Sequence, residues 1–239
     1  MISNNLQIYL SCYNESENIE NTLSECLDVV KRIELFDSIE VIVVDNNSSD
    51  ETLNSVNKFN VRVVSLKKNE MYSGSVFFAL MDSVAEHIII LDGDGQFPPQ
   101  YIENLATMIP HKYDLILGSR DFIIGGLVRK IGSKSFKLIS KIILGFDGPD
   151  LNAGFRYVSR NFVNNLEGVH RGRLSNPSLW YLAKNKNLKT AFIQIAPRPR
   201  KFGSSSIPWN QPLHLIWSSI IELLKIKNKS FDILKREEK

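Results

Sequence analysis

The chain has 239 residues, of which 43% are hydrophobic and 23% charged, and its formal net charge is +3. This length and composition favour one large apolar core, and the small net charge excludes a general nucleic-acid binder. Its two cysteines, Cys12 and Cys26, form neither a disulfide framework nor a zinc-binding spacing, so we expect a reducing, cytoplasmic compartment. The small net charge predicts that the protein has no nucleic-acid partner.

Short apolar runs alternate with longer helical patterns through the first half of the chain. The runs are rich in Val, Ile and Leu, have the length of strands and cover residues 6–12, 39–45, 61–66, 87–92 and 113–118. Candidate helix starts lie between them, at Asn14 with Glu17 in a capping box, at Asp50, and at Pro98–Pro99. This alternation predicts βαβ units around a mostly parallel sheet, and therefore a Rossmann-like α/β fold.

Two amphipathic helical patterns mark the second half of the chain. The first follows Gly125–Gly126 and carries five interleaved basic side chains, Arg129, Lys130, Lys134, Lys137 and Lys141. The second begins near Leu213 and leads into a basic tail, after a predicted helix over 174–186, a strand over 188–196 and a loop over 197–212. We predict a catalytic domain over 1–211 and an amphipathic helix with its tail over 212–239. Neither amphipathic pattern is long enough in apolar residues to span a membrane.

Polar clusters follow three of the predicted strands, at 13–15, 45–50 and 92–96. Because ligands bind beyond the carboxyl ends of parallel strands, these clusters predict one site at one edge of the sheet. Asp92 and Asp94 are separated by a single residue, and paired carboxylates suit the hard cations Mg²⁺ and Mn²⁺. A cation there would bind a diphosphate and offset the charge of a departing nucleotide. A plain Gly/Asp turn after a strand is the alternative interpretation.

A phosphatase that uses an aspartate nucleophile is a sharper alternative for the same segment. In that class a strand ends in Asp-x-Asp-Gly-Thr, with the first Asp phosphorylated and the second acting as acid and base. Here Gln96 stands in place of the Thr. Three predicted strands also precede the motif, which normally ends the first strand of its domain.

Five motifs in order give the chain a resemblance to family 2 glycosyltransferases, over roughly residues 6 to 206. They are Cys12-Tyr13-Asn14-Glu15-x-x-Asn18, Val43-Val44-Asp45-Asn46-Asn47-Ser48-Ser49-Asp50, Asp92-x-Asp94-x-Gln96-x-Pro98-Pro99, Gly118-Ser119-Arg120 and Asp150-x-x-x-Gly154-Phe155-Arg156. Within the family, the chain looks most like the dolichyl-phosphate mannosyltransferase and polyprenyl-phosphate glycosyltransferase branch. The resemblance implies a GT-A fold, a nucleotide-diphosphate sugar as donor and inversion at the anomeric carbon.

The resemblance also implies roles for single residues. Asp45 matches the residue that hydrogen-bonds the nucleotide base, and Tyr13 and Glu15 stand in the loop that lines the nucleoside. The metal trio corresponds to Asp92, Asp94 and Gln96, with Mg²⁺ or Mn²⁺ as the expected cofactor. Arg200, in Arg200-x-x-Gly203-x-Ser205, belongs to a late loop that closes over the donor.

On the acceptor side, the resemblance places a phosphate against Arg120, Arg129 and Ser133, since guanidinium groups hold phosphate oxygens in forked geometry. A phosphate monoester needs little help from a base, because its second pKa is about 6. If the acceptor is instead a sugar hydroxyl, a carboxylate must take its proton, and Asp150 is the candidate. Asp94 and Asp150 are therefore the predicted catalytic carboxylates. A solvent-exposed helix face is the alternative for Arg129.

The chain departs from the family pattern in three places. Asn46 replaces the usual second Asp, and Ser206 stands where a Lys is usual, so Lys201 is the remaining basic side chain nearby. In the stretch after the third strand, Met71 and Ser73 replace two glycines of Asn-x-Gly-x-Gly. We expect this loop to be bulkier than in the family.

These observations favour a hexosyltransferase acting on a polyprenyl phosphate at the inner face of the membrane. The basic amphipathic helices suit a peripheral position at the lipid surface, although core packing explains them equally well. A family member that extends a capsule, lipopolysaccharide or other glycan on a sugar hydroxyl is the second hypothesis. A phosphatase and a non-catalytic nucleotide-sugar-binding domain are the others, and the retained pair Asp92 and Asp94 argues against the last.

Overall fold

The structure is a computed structural model that describes residues 4–167, 169–203 and 211–228. Its strands are β1 (Asn5–Cys12), β2 (Ser38–Asp45), β3 (Arg62–Ser65), β4 (His87–Asp92), β5 (Leu115–Arg120), β6 (Phe155–Ser159) and β7 (Thr190–Ile195). Its α-helices are α1 (Ile19–Val30), α2 (Thr52–Val56), α3 (Met71–Asp82), α4 (Tyr101–Met108), α5 (Leu127–Leu144), α6 (Arg160–Asn164), α7 (Ser175–Asn185) and α8 (Pro212–Lys227). The strands form one sheet in the order β3-β2-β1-β4-β6-β5-β7.

Apolar layers cover both faces of the sheet. Alternate side chains of β1 point to opposite faces, so Ile8 packs with α1 and α4 on one side while Tyr9 packs with α3 and α7 on the other. This double burial explains why the central strands consist of nearly continuous Val, Ile and Leu. The result is a three-layer α/β fold, as the alternating pattern predicts.

Strand β6 runs antiparallel to both of its neighbours, β4 and β5, in an otherwise parallel sheet. Arg156 lies opposite Ile90, and the backbone N–H of Asp92 donates to the carbonyl of Gly154 at 3.1 Å. Residues 155–159 were not predicted to form a strand, since this short run is interrupted by a charged residue. The antiparallel insertion places the start of β6 directly beside the carboxyl end of β4.

Each predicted strand is confirmed, and the differences concern the strand limits and the predicted helix starts. The predicted β4 has the observed limits, whereas β5 begins two residues later than predicted and extends to Arg120. The capping box at Asn14 is wrong: α1 begins at Ile19, and Asn14 adopts a left-handed φ of 54°. Its side-chain oxygen instead accepts a hydrogen bond from Ser49 N at 2.8 Å, which ties the β1 loop to the β2 loop.

Other predicted helix starts are displaced by a residue or two. Pro98–Pro99 precede α4 and do not belong to its first turn. Their carbonyls accept hydrogen bonds from Tyr101 N and Ile102 N. Asp50 lies just before α2, where its carboxylate accepts from Thr52 N at 3.0 Å. Boundary shifts of this size are usual, because cap geometry depends on tertiary partners.

Helices α5 and α8 pack against each other. Leu144 at the end of α5 and Leu223 and Ile226 on α8 are buried in the same core as the sheet. The outer faces remain apolar, with Ile142 71% and Trp217 64% exposed. No helix in the described ranges combines the length and apolarity needed to cross a bilayer. The division of the chain at residue 212 stays a prediction.

Candidate active site

The predicted edge of the sheet brings carboxylates and a guanidinium together. Arg200, from the loop after β7, donates to Glu15 Oε1 at 2.6 Å and lies 3.4 Å from Asp94 Oδ2. The Arg200 side chain also donates to the carbonyl of Phe202 at 2.7 Å, which orders this end of the loop. Residues that follow β1, β4 and β7 therefore meet at one point. The last part of the late-loop motif, including Ser205 and Ser206, lies outside the described residues.

Asp92 and Asp94 sit at the end of β4 in a site that disfavours two negative charges. Burial raises the pKa of Asp92 to about 8, and the neighbouring Asp94 adds to this shift while Arg156 opposes it. Burial also raises the pKa of Asp94, against the hydrogen bond from Gln96 N and the charge of Arg200. The pair is held in a position where a cation would relieve its repulsion.

The geometry of this pair fits a hard divalent cation. Oδ1 of Asp92 is buried and has no hydrogen-bond partner among the described residues, so its lone pairs can accept a ligand. Gln96 contributes its backbone N–H to Asp94 Oδ1 at 2.9 Å. Within the described part of the chain no three His, Cys, Asp or Glu side chains are grouped to hold a metal. Two carboxylates still suit Mg²⁺ or Mn²⁺, which take further oxygens from water and from substrate phosphates.

The residues predicted to contact the nucleoside border this edge on the β2 side. Asp45 is 1% exposed, and its carboxylate accepts from Ser48 N at 3.2 Å. Tyr13 is 43% exposed at the mouth of the site, and Glu15 is buried and fixed by hydrogen bonds from Asn18 and Arg200. Burial raises the pKa of Glu15, and both partners offset part of that shift.

Asn46 hydrogen-bonds the loop between β3 and α3. This contact explains why an Asn stands where the family pattern has an Asp. Its Nδ2 donates to Asn69 Oδ1 at 3.1 Å and to Met71 O at 3.2 Å, while its Oδ1 accepts from Glu70 N at 2.9 Å. A carboxylate has no N–H and cannot make the first two bonds. Met71, which replaces a glycine of the family pattern, keeps a left-handed φ of 58° here. The amide of Asn46 therefore stabilises an unusual backbone.

Two of the three residues predicted to bind the acceptor phosphate, Arg120 and Ser133, lie in contact. Arg120 donates to Asp150 Oδ2 through Nε at 2.6 Å and to Asp150 Oδ1 through Nη2 at 3.1 Å. The same Nη2 donates to Ser133 Oγ at 3.2 Å. Arg129 is half-buried on the first turn of α5. Burial lowers the pKa of Arg129, the charge of Arg120 lowers it further, and Asp94 opposes both effects. Arg129 is thus close enough to both Arg120 and Asp94 for their charges to act on it.

Two side chains at this site were given no role by sequence reasoning. Arg156 is completely buried, and it donates to the hydroxyl of Tyr72 and, at 3.3 Å, to Ser175 Oγ. Burial of its hydroxyl raises the pKa of Tyr72, against the nearby charge of Arg156, while 41% of the residue as a whole is exposed. The sequence contained one indication of such a role: Arg156 interrupts an apolar run, and an arginine buried in the core is rare without a specific partner.

The mostly parallel sheet, with a carboxylate pair at its carboxyl edge, agrees with the GT-A glycosyltransferase fold that the motifs predict. The chain belongs to Glycosyl transferase family 2, whose profile matches residues 7–167. It is 25% identical over 223 residues to undecaprenyl-phosphate 4-deoxy-4-formamido-L-arabinose transferase of Pectobacterium carotovorum subsp. carotovorum, covering 89% of this chain and 65% of the relative. It is 27% identical over 210 residues to dolichol-phosphate mannosyltransferase of Pyrococcus furiosus, covering 83% and 56%.

Solved structures support the fold. Glucosyl-3-phosphoglycerate synthase from Mycobacterium tuberculosis, in complex with Mn²⁺, uridine diphosphate and phosphoglyceric acid, superimposes with a TM-score of 0.72 at 18% identity. The match covers 93% of this chain and 78% of that one. The chain spans less than two thirds of the two curated relatives, at 65% and 56% of their lengths.

Replacing Asn46 by Asp tests whether the loop between β3 and α3 depends on the hydrogen bonds of the Asn46 amide. Asn46→Asp removes two donated hydrogen bonds and places a carboxylate against the oxygens of Asn69 and Met71. We expect the free energy of unfolding in urea to fall by about 1–3 kcal/mol. Asn47→Asp, at an exposed neighbouring position, is the matched control. An Asn46→Asp protein as stable as the wild type would show that the loop does not depend on this amide.

The raised pKa of Asp92 predicts how stability varies with pH in EDTA. Between the ordinary value of 3.8 and about 8, the folded protein keeps a proton on Asp92 that the unfolded chain releases. Stability therefore decreases as pH rises through this window. Asp92→Asn removes this contribution, so the variant melts at a higher temperature than the wild type at pH 8. The difference shrinks towards pH 4.

The control is Asp147→Asn, at an exposed position, which leaves the pH dependence unchanged. A lower melting temperature for Asp92→Asn than for the wild type at pH 8 in EDTA would contradict the assignment of burial as the dominant cause.

Proposed function

We propose that the protein is an inverting transferase that moves a hexose from a nucleotide-diphosphate sugar to a polyprenyl phosphate. The observation that carries the proposal is the contact of Arg120 with Ser133, together with the closeness of Arg129 to Arg120 and Asp94, whose charges both act on its pKa. A cationic group next to a site for a cation-bound diphosphate provides two separate places for phosphate groups. One suits the donor and the other suits a phosphate-bearing acceptor. Both curated relatives carry a polyprenyl phosphate in their names, which supports this assignment.

For the donor, Asp92 and Asp94 would hold Mg²⁺ or Mn²⁺, with Gln96 beside them. The cation supplies charge neutralisation for the diphosphate that leaves. Asp45, Tyr13 and Glu15 bind the nucleoside, since they border the same edge. Arg200 reaches the diphosphate from the late loop, because it already lies over Glu15 and Asp94.

The attacking oxygen belongs to the acceptor phosphate. At neutral pH a phosphate monoester is largely ionised, so no side chain needs to remove a proton. Both oxygens of Asp150 are bound by Arg120, and Oδ1 also accepts from Asn152 N at 3.0 Å. A carboxylate engaged in this way orients the guanidinium rather than acting as a base. This arrangement favours the phosphate acceptor over the sugar hydroxyl of the second hypothesis.

The surface of α5 and α8 provides a place for the acceptor's lipid. Exposed apolar side chains, Leu127, Val128, Ile131, Leu138 and Ile142, share α5 with the lysines. On α8, Leu213 is 81% exposed and Trp217 64% exposed. An apolar face with basic side chains binds the headgroup region of anionic bilayers. We infer a peripheral position at the inner face of the membrane, with Arg129 at the start of α5 directed to the active site.

The acceptor is tested by steady-state kinetics with a short polyprenyl phosphate. The donor is first identified by thermal shift with a panel of nucleotide sugars and Mn²⁺, since a ligand at 100 times its Kd adds about 2.7 kcal/mol of stability. Arg129→Ala should then raise the KM for the polyprenyl phosphate about ten- to a hundredfold, because a charge-assisted contact contributes about 1.5–3 kcal/mol. Hydrolysis of the donor by water should stay nearly unchanged. Arg129→Lys should recover only part of the loss.

Lys186→Ala, which removes an exposed charge just beyond the far end of α7, serves as the control. If the wild-type protein ignores polyprenyl phosphates and glycosylates a sugar hydroxyl, the acceptor assignment is wrong and Asp150 becomes the candidate base.

Membrane contact is tested by co-sedimentation with vesicles containing phosphatidylglycerol. The double variant Leu138→Asp with Ile142→Asp changes side chains that are 58% and 71% exposed, so the fold should persist. Loss of two apolar contacts and two added negative charges should lower the partition coefficient at least about tenfold. Val84→Asp, which alters a side chain 78% exposed near the start of β4, should bind like the wild type. Equal binding by all three proteins would rule out this surface.

A further inference from the structure

The segment 150–154 connects the two halves of the candidate site. At its first residue, Asp150 accepts from Arg120 Nε at 2.6 Å, on the side predicted to hold the acceptor phosphate. At its last residue, a Cβ on Gly154 would lie 1.7 Å from Asp92 Oδ2, and the backbone N–H of Asp92 donates to the Gly154 carbonyl at 3.1 Å. The placement of this segment therefore affects Arg120 and Asp92 together.

The middle of the segment passes from one apolar layer of the fold to the other. Leu151 is buried in the core that contains α3 and α7, whereas Ala153 is buried in the core that contains α1 and α4. Asn152 between them is exposed. These three residues belong to no helix or strand. Their backbone carbonyls therefore need partners from outside the regular hydrogen-bond ladders.

Asn176, the second residue of α7, supplies those partners. It is 4% exposed, and its Nδ2 donates to the carbonyl of Leu151 at 3.1 Å and to the carbonyl of Ala153 at 2.8 Å. Its Oδ1 is buried and has no hydrogen-bond partner among the described residues. A buried oxygen without a partner costs stability, and such costs are expected where a structure serves a function. The contribution of this side chain therefore lies in its two N–H bonds to the segment.

We propose that Asn176 is a positioning residue that fixes the segment 150–154 and so sets the acceptor-phosphate residues and the carboxylate pair in place relative to each other. The inference rests on the proposed function for the acceptor phosphate. Asn176 touches no substrate in this role and acts through Asp150 at one end of the segment and Gly154 at the other. A misplacement of about 1 Å at reacting groups can lower a rate about a hundredfold, so a hydrogen bond away from the reaction can control it.

The metal end is tested by calorimetric titration of Mn²⁺ into the protein, with UDP in one series and GDP in another. Asn176→Leu keeps the size and neutrality of the side chain but removes both N–H bonds, and we expect the Kd for Mn²⁺ to rise about tenfold. Protein that fails to fold would lower the number of binding sites and leave the Kd unchanged. Gln7→Met is the matched control, because Gln7 is another buried amide, which accepts from Ser83 Oγ at 2.7 Å near the amino end of β1. The control should bind Mn²⁺ like the wild type.

The acceptor end is tested by comparing transfer to a short polyprenyl phosphate with hydrolysis of the donor by water. Asn176→Leu should lower the ratio of transfer to hydrolysis at least about tenfold, because only transfer requires an aligned acceptor. A smaller amount of active protein would lower both rates equally and leave the ratio unchanged. Asn176→Ser keeps one hydroxyl donor, so it should lose less at both ends, and it replaces Asn176→Leu if that variant does not fold.

An unchanged Kd for Mn²⁺ overturns the proposal, and so does an unchanged ratio, since the segment would then serve one end of the site or neither. The proposed function fails differently: the wild type itself would bind Mn²⁺ and nucleotide without transferring to a polyprenyl phosphate. In that case the Kd for Mn²⁺ alone decides whether Asn176 positions the carboxylate pair.

Discussion

The close approach of the Asp92 carboxylate to the backbone of Gly154 is the contact on which the site depends. It exists because β6 enters the sheet antiparallel between β4 and β5, which places the residue before β6 beside the last residue of β4. No side chain larger than hydrogen fits there. The same insertion carries Arg156 into the core, where its charge moderates the repulsion between the two carboxylates. One reversal of strand direction therefore supplies the space that the Asp92 carboxylate occupies and part of the charge balance of the carboxylate pair.

The loops around this contact depend on polar side chains rather than on helix caps. Asn14 bonds Ser49 N, Asn46 bonds the loop after β3, and Asn18 bonds Glu15 and the carbonyl of Phe202. Short amides pair with backbone groups of neighbouring loops. They also connect loops that follow different strands, so the edge of the sheet behaves as one unit.

The apolar runs were sufficient to predict β1, β2 and β4, because strands buried on both faces need continuous Val, Ile and Leu. The order of motifs identified the carboxylate pair and the residues around it. Strand β6 escaped prediction because its charge at Arg156 is tolerated only through Tyr72 and Ser175, which are distant in sequence. The capping box at Asn14 failed for a related reason: its side chain has a better partner in another loop. Local patterns identify elements, whereas buried polar contacts require the assembled structure.

Arg200 differs from the other basic residues of the site because it contacts two carboxylates from different loops. It already neutralises Glu15 and Asp94 through contacts at 2.6 Å and 3.4 Å, so it acts as a built-in counter-ion for the carboxylates. When a cation and a diphosphate bind, Arg200 can pass from carboxylate to phosphate oxygens without losing an anionic partner. In that exchange Arg200 would keep an anionic partner while the cation takes over Asp94. A diphosphate that entered this edge would therefore meet a guanidinium already held over Glu15 and Asp94.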